Sequence, residues 1–194
     1  YGYGRLYLGD HSLFLDVATD YWAYNYIGEL YNNSITTGCS DSPLKFCPGG
    51  AVTREQMAAF IIRAKEGENF TFSNSPYFAD IPSSHWAFKY IQRLKELGIT
   101  TGCGDGTNYC PIDIVNREQM ATFLVRAKEG EDFSYSSTPY FSDVPAGYWA
   151  FKYIQRLKEL GITTGCTASS YCPADAVTRD QMAAFLARAF LGMP

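Results

Sequence analysis

Trp86-Ala-Phe-Lys-Tyr-Ile-Gln-Arg-Leu-Lys-Glu-Leu-Gly-Ile-Thr-Thr-Gly-Cys103 sets the architecture of this chain, because it returns at Trp149–Cys166 and, with substitutions, at Trp22–Cys39. In the middle copy Trp86, Tyr90, Leu94 and Leu97 fall four, four and three residues apart. That spacing predicts a helix with one apolar face and with Lys89, Arg93 and Lys95 largely off it. Gly98 and Gly161 follow at a helix stop, where a residue without Cβ enters the left-handed conformation at little cost. The first copy has Tyr31-Asn-Asn-Ser34 there, and an Asn is expected to take the left-handed turn instead.

The flanking sequence repeats in step. Phe14-Leu-Asp16-Val, Phe78-Ala-Asp80-Ile and Phe141-Ser-Asp143-Val precede the three tryptophans, 64 residues apart from Asp16 to Asp80 and 63 from Asp80 to Asp143. A second helix is predicted after each pair of cysteines. Thr53-x-x-Gln56, Asn116-x-x-Gln119 and Thr178-x-x-Gln181 match the capping box that satisfies orphaned N-terminal donors. The buried faces would carry Met57, Phe60 and Ile61, then Met120, Phe123 and Leu124, then Met182, Phe185 and Leu186. The expected fold is therefore all-α: three tandem helix-loop-helix repeats over 14–67, 77–130 and 140–194. Aromatic linkers over 68–76 and 131–139 should lie extended against the body, and an extended Tyr/Gly-rich tail should occupy 1–13.

Composition narrows the function. With 194 residues, 46% of them hydrophobic, the chain can bury a core, but each repeat alone is small, so mutual packing is expected. A net charge of −4 argues against non-specific attraction to nucleic acid or to anionic membranes. No apolar run approaches the roughly 18 to 20 residues of a membrane span, so no membrane insertion is expected. The first residue is Tyr1, which reads as a processed or partial chain.

The six cysteines fall as Cys39/Cys47, Cys103/Cys110 and Cys166/Cys172, one pair per repeat. Their gaps shorten from repeat to repeat, which a disulfide across a loop tolerates better than a rigid metal knuckle does. Disulfides within each repeat are favoured over a metal site or free thiols, and they would place the chain in an oxidising, extracellular compartment. The turn Gly104-Asp105-Gly106-Thr107-Asn108 lacks the ligand alternation and terminal Glu of a calcium loop. No cofactor is expected.

Taken together, Phe-x-Asp-Val, Trp-Ala, a helix ending Leu-Gly-Ile-x-x-Gly, a Gly-Asp-Gly-like turn and Val-Thr-Arg-Glu-Gln-Met-Ala resemble the S-layer homology (SLH) domain, in three tandem copies from Phe14 to about Ala189. The resemblance implies a three-pronged, pseudo-threefold helical bundle anchoring extracellular proteins to cell-wall polysaccharide, often an anionic, pyruvylated polymer held in grooves between repeats. It assigns the groove arginine to Arg54, Arg117 and Arg179 and the groove glycine to Gly38, Gly102 and Gly165. The family's aspartate and tryptophan positions fall on Asp16, Asp80 and Asp143 and on Trp22, Trp86 and Trp149. The paired cysteines depart from the usual motif, and so does Asn116, which replaces the capping Thr.

Read as residues alone, the same positions have plainer roles. Each Trp would be a core anchor, and each Asp would cap or hydrogen-bond the segment leading to the first helix. Each Arg would either meet a ligand or pair with a carboxylate of the next repeat. His11 and His85 do not recur, and the sequons at Asn32 and Asn69 are common chance patterns. Neither His-Glu-x-x-His nor Gly-x-Ser-x-Gly occurs, so catalysis is not expected. An alternative reading makes the repeats themselves the product, a homopolymer forming a filament or surface layer through the N-terminal tail.

Overall fold

Residues 12–194 are described by a computed structural model. The tail expected over 1–13, on which the assembly reading rests, lies outside them except for Ser12 and Leu13. The elements run α1 (Tyr24–Asn32), a small antiparallel hairpin β1 (Ser40–Asp41) and β2 (Leu44–Lys45), α2 (Arg54–Glu66), α3 (Phe88–Glu96), α4 (Arg117–Glu129), α5 (Phe151–Glu159) and α6 (Arg179–Phe190). The chain is mainly helical, as the periodicity predicts.

The three long helices, α2, α4 and α6, pack against one another around a pseudo-threefold axis. Just before each, a valine sits fully buried on that axis. Val52 N–H donates to Val177 O, Val177 N–H to Val115 O, and Val115 N–H to Val52 O, each at 2.9 Å, so the three repeats close a cyclic triangle of backbone hydrogen bonds. Around it, the first free N–H of each long helix is taken by the next repeat: Arg54 N–H by Asp113 O, Arg117 N–H by Asp175 O, and Arg179 N–H by Gly50 O, all at 2.9 Å. The second is taken the same way, by Pro111 O, Pro173 O and Pro48 O at 2.9 to 3.1 Å. An α-helix leaves four such donors orphaned at its start, and here two of them are satisfied between repeats.

The short helices pack out of register with the repeats. α3 lies on α2, α5 on α4, and α1 on α6, so each helix pair joins consecutive repeats and the last joins the two ends of the chain. Their inward positions are Ile27 and Leu30, Ile91 and Leu94, and Ile154 and Leu157. The helix stops behave as expected at Gly98 and Gly161, with φ of 69° and 70°. In the first copy it is Ser34, at φ 59°, and not an Asn, that adopts the left-handed conformation.

Both linkers are pinned to the body. The buried Gln92 amide donates to Ser73 O and Ser75 O while its carbonyl accepts from Tyr77 N–H, and Gln155 does the same for Ser136, Thr138 and Tyr140. Gly28 stands at the equivalent place in α1. Two capping boxes form as expected, at Thr53 and Asn116, but the third does not: the Thr178 hydroxyl turns to Asp180 instead.

Glu68 and Glu131 tie the linker starts to helices through Arg63, Lys89 and Tyr90, and through Arg126, Lys152 and Tyr153. Burial alone would raise these carboxyls, but the hydrogen bonds from lysine, tyrosine and arginine outweigh it and hold both at about 2. A depressed folded-state pKa adds stability that is present above the unfolded glutamate value of about 4.3 and is lost as pH falls through about 2. We therefore expect the protection factors of the linker amides, taken relative to the intrinsic exchange rate at each pH, to hold constant from pH 7 to about 4.5 and to fall progressively between about 4.3 and about 2. Glu68→Gln with Glu131→Gln should abolish that acid step, and linkers that release already above pH 4.5 would contradict the assignment.

Candidate ligand grooves between repeats

Each cysteine pair closes as a disulfide within its repeat, with Cα atoms 6.0, 6.1 and 5.9 Å apart. Beside each bridge an aspartate clasps the loop. Asp16 takes Phe46 N–H and Cys47 N–H at 2.8 and 2.7 Å, Asp80 takes Tyr109 and Cys110 at 2.7 Å each, and Asp143 takes Tyr171 and Cys172 at 2.8 and 2.7 Å. Cys47, Cys110 and Cys172 have φ of 57° to 59°, a left-handed conformation costly for a residue with a Cβ, and the carboxylate holds the two N–H groups that this bend presents. The aspartates thus clamp the loop between the helices; they do not cap the approach to the first helix.

Gly38, Gly102 and Gly165 sit at φ of 95° to 99° where the loop doubles back. A Cβ on Gly102 would lie 2.6 Å from Asn108 O and 2.8 Å from the Phe78 ring. Positive φ and close approach both require glycine here, and the same holds at Gly165, which also faces a groove.

The arginines are not in open solvent, nor do they pair with a carboxylate. Arg54, Arg117 and Arg179 are only 5 to 6% exposed. Each Nε donates to a carbonyl of the next repeat: Arg54 to Tyr109 O at 2.8 Å, Arg117 to Tyr171 O and Arg179 to Phe46 O at 2.7 Å. Each guanidinium is sandwiched between that aromatic and a phenylalanine of the next long helix. Arg54 lies 4.8 Å from the Tyr109 centroid and 5.4 Å from Phe123, Arg117 4.7 Å from Tyr171 and 5.6 Å from Phe185, and Arg179 4.8 Å from Phe46 and 5.4 Å from Phe60. Burial pushes the Arg179 guanidinium below its usual value, and Asp16 opposes that shift. The tyrosines add a return bond, Tyr109 OH to Arg54 O and Tyr171 OH to Arg117 O at 2.7 Å, which Phe46 cannot make to Arg179. Sequence reasoning passed over these aromatics, although the signal is present: each immediately precedes the second cysteine of its repeat.

The tryptophans are exposed, 53, 54 and 56% for Trp22, Trp86 and Trp149, which corrects the core-anchor expectation. Each short helix begins two residues after its Trp, so the ring sits in the preceding turn while Ala23, Ala87 or Ala150 points inward. Trp22 reaches a groove of about 380 Å³ that Arg117, Thr163, Thr164, Gly165 and Arg188 also line. All three repeats contribute to that groove. A larger opening of about 660 Å³ lies at the first linker, where its Glu66 and Glu68 are already paired with Arg93, Arg63 and Lys89.

Breaking a clasp should cost stability. Asp80→Asn would turn an amide N–H toward one of two backbone donors, and we expect a loss of about 2 kcal/mol, read from urea or guanidinium unfolding with the disulfides intact. A loss below about 0.5 kcal/mol would show that the disulfide alone holds the loop.

With this geometry in view, the sequence profile described as "S-layer homology domain" matches residues 13–58, 77–121 and 140–183. An endoglucanase of Bacillus sp. (strain KSM-635) is 37% identical over 135 residues, covering 69% of this chain and 14% of that protein. An S-layer protein of Bacillus thuringiensis subsp. finitimus is 30% identical over 179 residues, covering 90% of this chain and 21% of that protein. S-layer protein EA1 of Bacillus anthracis is 28% identical over 113 residues, covering 58% of this chain and 13% of that protein. The match thus spans between 13 and 21% of these relatives' lengths, and the endoglucanase is matched only over a small portion of itself. No helix among the described residues is long and apolar enough to cross a membrane. Three tandem matches, the disulfides and the S-layer relatives agree on an extracellular, cell-surface protein with a wall-anchoring role: the chain belongs to the S-layer homology domain family.

Proposed function

We propose that this chain is a non-catalytic module that anchors to the cell wall by binding anionic wall carbohydrate, such as a pyruvylated polysaccharide, in the grooves between its repeats. The observation that carries the reading is the groove where Arg117, buried and with its Nη2 unpartnered, lies beside the exposed Trp22 ring. A cation next to an open aromatic face suits a sugar bearing a carboxylate: the guanidinium takes the charge, and the indole takes the apolar face of the ring. The backbone donors at the helix starts add little, since neighbouring repeats already occupy them. Charge recognition therefore falls on the arginine side chains.

A hydrolase working through two carboxylates could draw on Asp80 with Glu118, but both are already engaged. Asp80 holds two backbone N–H groups, and Glu118 accepts from Asn116 and from the Tyr148 hydroxyl. This supports a binding role over a catalytic one.

Because the arginines hold the loops together, substituting them would damage fold and binding at once; the tryptophans separate the two. We expect Trp22→Ala, Trp86→Ala and Trp149→Ala combined to leave a folded protein whose retention on isolated cell walls falls roughly tenfold or more, a loss of at least about 1.4 kcal/mol. Walls stripped of their acidic substituents should bind the unaltered protein no better than they bind this variant. Undiminished retention of the triple variant would contradict the reading.

A further inference from the structure

The three arginines are held alike across the repeat boundaries, but their surroundings differ in which polar groups are already occupied. At Arg54, Nη2 donates to Gly102 O at 3.2 Å. At Arg117 and Arg179 the same nitrogen is buried without a partner. A second difference sits at the start of α6. In α2 and α4 the capping box holds the glutamine side chain, with Gln56 Oε1 and Gln119 Oε1 each accepting the N-cap N–H at 3.3 Å. In α6, Asp180 stands where the other helices have Glu55 and Glu118. One methylene shorter, its Oδ1 takes the Gln181 N–H at 2.7 Å and also accepts from the Thr178 hydroxyl, replacing the N-cap side chain as acceptor. The box stays open, and the Gln181 side chain is released.

Gln181 lines the same groove as Arg117 and Trp22, and its Oε1 is buried with no partner. Among the described residues, the three buried unpartnered side-chain atoms are Arg117 Nη2, Arg179 Nη2 and Gln181 Oε1. Two of the three thus belong to the Arg117 groove, one a donor and one an acceptor. The position of Asp175 in that groove is Gly50 in the repeat facing Arg179, where the tyrosine hydroxyl is also lost to Phe46. A buried polar group left unpaired is costly, so a ligand that pairs both gains affinity and discrimination at once.

Building on the anchoring reading, we propose that the Arg117 groove is the principal carbohydrate site of this chain and that Gln181 is its specificity-determining residue. The Arg117 guanidinium receives the carboxylate substituent of the sugar, and the Gln181 carbonyl accepts from a hydroxyl of the same sugar. Asp180, by opening the capping box that Thr53 and Asn116 keep closed, makes the surroundings of Arg117 unlike those of Arg54 and Arg179.

The test is isothermal titration of the whole chain with a monosaccharide carrying a pyruvate ketal, and with the same sugar lacking the ketal. The unaltered protein should show one dominant equivalent of the ketal sugar and at least tenfold weaker binding of the plain one. Asp180→Glu rebuilds a box that the molecule already forms twice, and should keep or raise thermal stability while weakening binding about tenfold. Gln181→Ala should weaken it fivefold or more, whereas Gln56→Ala and Gln119→Ala should stay within twofold. Tight binding that survives both Asp180→Glu and Gln181→Ala, or three equal sites, would overturn this proposal while leaving the anchoring reading intact. An unaltered protein that binds neither sugar would overturn both.

Discussion

Everything in this molecule depends on a hydrogen-bonded triangle of three valine backbones. Val52, Val115 and Val177 each give an N–H to one neighbour and a carbonyl to the other, at the start of three helices that would otherwise leave donors unpaired. No single repeat can satisfy its own share. Because the triangle closes, the repeats are not beads on a string, each contacting only its chain neighbours as in an open solenoid. The first and last repeats are as tightly joined as any consecutive pair, through α1 on α6 and through Arg179 on Phe46.

The triangle also creates the grooves. Since each helix start is capped by the loop of the next repeat, the arginine at that start has to cross the boundary, and its Nε binds the neighbour's carbonyl. The disulfide, the aspartate clasp and the close-packed glycine all stabilise that loop in the shape that brings the carbonyl within reach. Residues that look like a ligand motif are, in the first instance, the joint between repeats. The aromatic ring left in the turn before each short helix, by contrast, stays exposed.

Most of the fold was legible in the sequence because its signals are local and occur in triplicate: apolar spacing, capping residues, cysteine pairs. The errors came where local pattern and tertiary context part. Trp86 lies four residues before Tyr90, as a helical face requires, yet the helix starts at Phe88, so the ring falls in a turn and faces solvent. Thr178-x-x-Gln181 has the letters of a capping box, but the aspartate between them competes for the same donor, and side-chain length settles the contest. Nor could spacing reveal that α3 packs on the helix of the preceding repeat, since either partner offers an equally apolar face. Of the candidate site, the residue types were readable and the roles were not, because an arginine that binds a carbonyl and one that binds a sugar acid occupy the same letter.

Closure of the ring is tested most directly by native-state hydrogen exchange at the Val52, Val115 and Val177 amides. If the three repeats form one cooperative unit, these amides open only with global unfolding, and their opening free energies agree with one another and with the stability from denaturant titration. An amide that exchanges far faster than the other two, through an opening that leaves the remaining repeats folded, would mean that the triangle is not what holds the molecule together.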